Sequence, residues 1–187
     1  MIATIVTSNK ELEQIVELSQ KNMRANFTDA EQNKYGFLTW NYSFELLQLM
    51  NEQHPHVIVK DDNNVIAYAR VALKKSVAFH ANIKAMILQL DALTYKSKSL
   101  AEYKYYVIGQ VCVDADYRGK GVFEMMYLQH KALLEKEFDF VITEISTSNK
   151  RSLRAHEKMG FKTIYTYSDA MDEWNVVIWE WNNACLK

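Results

Sequence analysis

The residues able to do chemistry gather in two short stretches. The first is Asp114-Ala-Asp-Tyr-Arg-Gly-Lys-Gly-Val-Phe123, which follows an apolar run and precedes a pattern of helical period. A helix start leaves backbone N–H groups without partners and carries a partial positive charge, so it suits a phosphate. Gly119 and Gly121 let the backbone approach such an anion closely, and Arg118 and Lys120 add two positive charges. The same letters also describe an ordinary strand-to-helix turn with solvated basic residues. Other phosphate motifs fit worse: no Lys-[Ser/Thr] stands in P-loop register, and the third glycine of the dinucleotide fingerprint is missing. The second stretch is Asn149-Lys-Arg-Ser-Leu-Arg-Ala-His-Glu-Lys-Met-Gly-Phe161. On a helix its Asn149, Ser152 and His156 share one face and can meet a ligand lying between two strands. Taken singly, Asn149 reads as a helix cap and His156 as a histidine satisfied by its neighbours.

The elements that must position these stretches are those of one packed domain. The chain has 187 residues, 49% of them hydrophobic and 24% charged, enough to bury a core without a metal or disulfide. Its 22 Lys and Arg balance 23 Asp and Glu to a net charge of −1, which argues against broad binding to nucleic acid or an anionic membrane. Cys112 and Cys185 are too far apart for a zinc motif or a disulfide framework. The N-terminus lacks a signal peptide's basic lead, and no apolar run reaches the ~18 residues of a membrane helix. The expectation is a reduced, cytoplasmic protein without a metal.

Along the chain, strands are expected over Ile2–Val6, His56–Lys60, Val65–Val77, Tyr105–Val113, Phe138–Ile145, Lys162–Tyr167 and Trp174–Trp181. Helical spacing covers Lys10–Lys21, a segment around Phe44–Leu49, part of His80–Glu102, Val122–Glu137 and Asn149–Met159. No repeat or linker divides this order, so it reads as a single α/β domain over 1–187 with one sheet. Trp174–Trp181 is apolar on both faces, which requires cover from helices or from a second subunit and allows a homodimer.

Both stretches, in this order, resemble the GNAT superfamily of acyl-CoA-dependent N-acyltransferases. Arg118-Gly-Lys-Gly121 matches the start of its [Gln/Arg]-x-x-Gly-x-[Gly/Ala] motif, and Asn149…His-Glu-Lys-Met-Gly-Phe161 most of its second motif. The resemblance implies a mixed, twisted sheet of about six to seven strands flanked by helices. It implies acetyl-CoA as acyl donor, its pyrophosphate on the loop Arg118, Gly119, Lys120, Gly121, Val122 and Phe123. The pantetheine arm would run along Val111, Cys112 and Val113, with Asn149 and Ser152 facing the cofactor. Gly109 would mark the bulge from which two strands part to make a slot for the thioester.

Two positions depart from the pattern. Phe123 replaces the usual Gly or Ala, so its ring must turn into the core. His156 replaces the usual tyrosine and, titrating near neutrality, is expected as general acid toward the leaving thiolate. Glu144 is the carboxylate expected to take the amine's proton. Strand alternation with Val141, Thr143 and Ile145 equally allows Glu144 to face outward. Cys112 invites a covalent route, but a lone cysteine in an apolar strand is chiefly an inert hydrophobe.

Acceptor choice is expected to lie in 23–51 and 80–106, whose aromatic residues could wall a small amine or pack a lid. The function implied is acetyl transfer from acetyl-CoA to the amine of a small metabolite by direct attack. The alternative is a non-catalytic acyl-CoA-binding or interaction module on the same fold.

Overall fold

The computed structural model describes residues 1–181. Its main sheet has seven strands: β1 (Ile2–Ile5), β2 (Val57–Asp61), β3 (Asn64–Ala72), β6 (Tyr105–Val113), β7 (Phe140–Ser146), β8 (Lys162–Ser168) and β9 (Glu173–Glu180). They lie in the order β1-β2-β3-β6-β7-β9-β8, and every neighbouring pair is antiparallel except β6–β7. A short hairpin, β4 (Thr94–Tyr95) and β5 (Lys98–Ser99), stands apart. The helices are α1 (Asn9–Lys21), α2 (Asp29–Tyr35), α3 (Phe44–Gln53), α4 (Ala81–Asp91), α5 (Val122–Leu134) and α6 (Lys150–Lys158).

Local chemistry sets the helix starts. Ser8 caps α1 in a reciprocal box with Glu11, and Thr28 does the same for α2 with Glu31. The apolar stripe Leu12, Ile15 and Leu18 then turns α1 onto the sheet. One core, on the α1, α3 and α4 face, takes Tyr68 and Ala72 of β3, Phe140 and Ile142 of β7, and Val176 and Ile178 of β9. The other, on the α5 face, takes Ala69 and Val71, Val141 and Ile145, and Val177, Trp179 and Trp181. The two apolar faces of Trp174–Trp181 are thus covered within the chain, and a second subunit is not required for their burial.

Two expected elements change. The strand expected to run to Val77 ends at Ala72, because Ser76 Oγ accepts from the N–H of Leu73 and turns the chain into a 3₁₀ segment, Lys74–Ala78. The irregular block 80–102 resolves into α4, the β4–β5 hairpin and a 3₁₀ turn; Tyr95 of the hairpin and Tyr103 just after the turn pack on Phe140. Cys185 lies outside the described residues.

The feature that creates a site is a fork between β6 and β7. The two strands pair only from Tyr105↔Phe140 to Val107↔Ile142. Thr143 Oγ1 donates to the Ile108 carbonyl at 2.9 Å as a last link. Beyond it β6 continues on β3 and β7 on β9. The β3–β6 register shifts between Arg70↔Gln110 and Val71↔Ile108, which leaves Gly109 as the extra, bulged residue. The bulge reverses which face the later residues take: Val107 packs in the α1 core, whereas Val111 and Val113 turn to the α5 side.

Candidate active site

The start of α5 has the backbone geometry that suits an anion. Gly119 and Gly121 adopt φ of 78° and 77°, and Gly121 is the N-cap of the helix. Among the described residues no backbone carbonyl accepts from the N–H groups of Gly119 through Phe123, while the Met125 N–H already closes the first helical bond onto Gly121. Five consecutive unpaired donors at a helix start form a cradle for a diphosphate.

This cradle opens into a cleft of about 590 Å³. Val111, Cys112, Val113, Arg118, Gly119, Gly121, Val122, Phe123, Asn149 and Ser152 all line it, and Arg151, Arg154 and Lys158 make its far wall basic. Burial and the like charges of Arg118 and Arg154 press the Arg151 guanidinium below its ordinary range. Lys120 is the exception among the expected residues. Its side chain lies over the Tyr117 ring, and the residue is not part of the cleft wall. Arg118 is partly committed as a strut: Nε donates to the Val113 carbonyl at 3.0 Å and Nη2 to Asn22 Oδ1 at 2.6 Å. The Phe123 ring turns inward onto Tyr127 and His156, at centroid distances of 4.6 and 5.0 Å.

Tyr35, Gly36, Phe37 and Leu38 form the opposite wall of this cleft. Part of the segment expected on the acceptor side therefore borders the cofactor side as well. Asn149 caps α6 by accepting from the Ser152 N–H, and its Nδ2 donates to the Phe37 carbonyl at 3.0 Å, tying this wall down. Arg24 adds an ion pair to Asp172 at 2.8 Å. None of residues 80–104 lines the cleft or the recess behind it.

Inside the fork lies a recess of about 80 Å³, bordered by Trp40, Gly109, Gln110, Thr143, Glu144, His156 and Trp174 among others. Glu144 falls on the Phe140–Ile142 side of β7 and is largely withdrawn from solvent; its Oε1 has no hydrogen-bond partner. Burial raises its pKa to about 7, with the Tyr167 hydroxyl offsetting part of the shift. The outward-facing alternative for this residue does not occur.

His156 is 1% exposed. Its Nδ1 lies 2.8 Å from the Ser152 carbonyl, which can only accept, so Nδ1 carries the proton. Nε2 then accepts from the Tyr127 hydroxyl at 2.6 Å. Burial lowers the imidazole to about pKa 4, leaving it neutral with both nitrogens engaged. This geometry opposes the expected acid role and makes the ring a strut between α5 and α6. Burial likewise pushes the Cys112 thiol up to about 12, the wrong direction for a nucleophile.

Sequence reasoning passed over Arg70, Thr143 and Trp174 as site residues and took Tyr42 only as one of the aromatic residues of 23–51. One signal was present: Arg70 is a single charge inside the apolar strand Val-Ile-Ala-Tyr-Ala-Arg-Val-Ala. Among the described residues no group of His, Cys, Asp and Glu could hold a metal ion, and no helix is long and apolar enough to cross a membrane.

A forked sheet with an anion cradle at the next helix start is the arrangement of an acyltransferase, and comparison with known proteins agrees. Residues 12–161 match the model of the Acetyltransferase (GNAT) family, and the chain belongs to that family. No curated protein sequence matches it. Among solved structures it is similar to the ribosomal-protein-S18-alanine N-acetyltransferase from Escherichia coli, at TM-score 0.60 and 13% identity over 100% of this chain and 98% of that one. It is also similar to yncA, a putative acetyltransferase from Salmonella typhimurium solved with acetyl-CoA, at TM-score 0.61 and 14% identity over 99% and 100%. A third is Chaetomium thermophilum Naa20 in complex with a bisubstrate analogue, at TM-score 0.64 and 13% identity over 96% and 86%.

Proposed function

We propose that this chain is an N-acetyltransferase that moves the acetyl group of acetyl-CoA to the amine of a small acceptor by direct attack. One observation carries the reading: the same fork has an amide cradle at its mouth and, at its inner end, a buried carboxylate with one oxygen unpartnered among the described residues. The cradle at Gly119–Phe123 suits the pyrophosphate, and the basic wall of Arg151, Arg154 and Lys158 suits the remaining phosphate. The walls of Val111 and Val113 lead from there to the recess. When bound, acetyl-CoA supplies a thioester carbonyl open to attack by nitrogen.

The chain's residues do the rest. Glu144, with its pKa near 7, is about half ionised at neutral pH and takes the proton that the amine must shed. Unpaired backbone N–H groups where β6 leaves β7 polarise the carbonyl. Trp40 and Trp174 enclose the amine, where aromatic faces attract a cation before it deprotonates. A recess of about 80 Å³ admits the amine and its first carbons, which favours a compact acceptor head.

The test is thiol release from acetyl-CoA with a panel of small amines, amino acids and short peptides bearing a free N-terminus. Turnover on small amines supports the proposal, and turnover confined to peptides replaces its acceptor class. Tight CoA binding with no turnover on any member would favour the non-catalytic module.

A further inference from the structure

The departing sulfur needs a proton, and the one proton of His156 sits on Nδ1 against the Ser152 carbonyl. A different phenol reaches the fork. Tyr42, in the segment between α2 and α3, is 3% exposed, and its hydroxyl presses on the bulge of β6: a β-carbon at Gly109 would lie 3.0 Å from it. Among the described residues the hydroxyl makes no hydrogen bond to another protein group. The Trp40 ring centroid lies 4.2 Å from that of Tyr42, the two planes tilted by 42°, and the Arg70 guanidinium carbon lies 3.1 Å from the Tyr42 ring centroid.

Arg70 is the unusual member of this stack. It is 1% exposed, its Nε and Nη2 have no partner, and no carboxylate pairs with it among the described residues. A buried, unneutralised guanidinium is costly, and contact with an aromatic face offsets only part of that cost. A negative charge developing on the ring it covers would supply the missing counter-ion.

We propose that Tyr42 is the acid that protonates the departing thiolate, and that Arg70 is the positioning residue that holds its ring and stabilises the phenolate. This rests on the N-acetyltransferase reading of the fork. In the step, the amine lone pair forms the C–N bond to the thioester carbonyl carbon and the amine's proton passes to Glu144. The C–S bond breaks with its electron pair going to sulfur, which takes the hydroxyl proton of Tyr42. The phenolate recovers a proton from Glu144 through solvent, so one amine and one thioester become one amide and one thiol. Burial holds the Tyr42 hydroxyl above its ordinary range; of the charged and titratable groups that bear on it, Arg70 and Tyr68 of β3 and Glu144 of β7, Arg70 favours the phenolate and Glu144, when ionised, opposes it.

Two substitutions and one binding probe test this. Tyr42→Phe keeps the stack and is expected to lower kcat by roughly 100-fold with KM for acetyl-CoA changed less than about twofold. Replacing Tyr42 by 3-fluorotyrosine, a stronger acid, is expected to move the descending limb of the kcat–pH profile to lower pH. Arg70→Met is expected to move it to higher pH, a shift that a merely structural role would not cause. A Tyr42→Phe enzyme retaining more than a third of the parental kcat, or a limb that the fluorinated ring leaves in place, overturns the proposal. Independently of any acceptor, the fluorine resonance at position 42 should differ between complexes with CoA and with desulfo-CoA. Identical resonances overturn the contact with sulfur. A sulfur-dependent resonance in a protein that acetylates no amine supports that contact and counts against the acetyltransferase reading instead.

Discussion

Tyr127 of α5 donates its hydroxyl hydrogen to Nε2 of His156 on α6 across 2.6 Å, in a pair buried at both ends. The bond joins two helices whose N-terminal ends border the main cleft, so its value lies in holding their separation. Removing the donor leaves a buried acceptor unsatisfied, which costs about 1–3 kcal/mol. Tyr127→Phe is therefore expected to lower the unfolding free energy obtained from urea denaturation by that amount. The pH profile of kcat should stay in place in this variant. A limb near pH 6–7 that vanishes with His156→Gln but survives in Glu144→Gln would contradict the assignment.

Glu144 is expected to own the ascending limb of the rate profile. Its buried carboxyl titrates near pH 7, and the ionised form is the one that accepts a proton. Glu144→Gln should lower kcat by about 10²–10⁴-fold and flatten that limb, with CoA affinity little changed because residue 144 is not part of the cofactor cleft. Pre-steady-state and pH-dependent turnover measurements check both.

Acid should unfold this protein early. His56, His130 and His156 are fully buried, and burial lowers them to about 3, 3 and 4. Each is neutral in the fold and protonated in the unfolded chain between its lowered pKa and the ordinary value near 6.5. The unfolded state then binds the additional protons, so stability is full above about pH 6.5 and is lost as pH falls. Each histidine contributes a slope of roughly 1.4 kcal/mol per pH unit in that window. Glu144 runs the other way: its contribution is full below its ordinary 4.5 and is lost as pH rises through about 7. Denaturation midpoints between pH 4 and 8 should show the net loss on the acid side, and replacing His130 by an apolar residue should shallow it.

The cradle should depend on backbone geometry more than on Lys120. Gly121→Ala forces an L-residue into the left-handed region, a cost of about 1–2 kcal/mol at the N-cap that shapes the anion site. Calorimetric titration with CoA is expected to show at least a tenfold loss of affinity. Lys120→Ala, whose side chain lies over Tyr117, should change it less than threefold.

Much of the fold was legible because its signals are local. The capping residues Ser8 and Asn149, the stripe Leu12–Ile15–Leu18 and the runs of β-branched residues each act within a few positions. The seven strands follow from them. The segment 23–43 was less legible, since its fold rests on distant partners: Asp172 for Arg24 and Asn149 for the Phe37 carbonyl. Val65–Val77 ran too far because one hydroxyl, Ser76, ended the strand where hydrophobicity did not.

The sequence alone determined that a glycine turn, of the kind that suits an anion, stands between a strand and a helix, because glycine spacing and helix polarity act over single residues. It also brought Glu144 and His156 forward, but it could not say what surrounds them. Only the tertiary structure decided that Glu144 keeps an unpartnered oxygen inside the fork while His156 spends both nitrogens on Ser152 and Tyr127. Burial and the partners brought from remote strands and helices set the protonation of each, and those depend on how the whole chain packs.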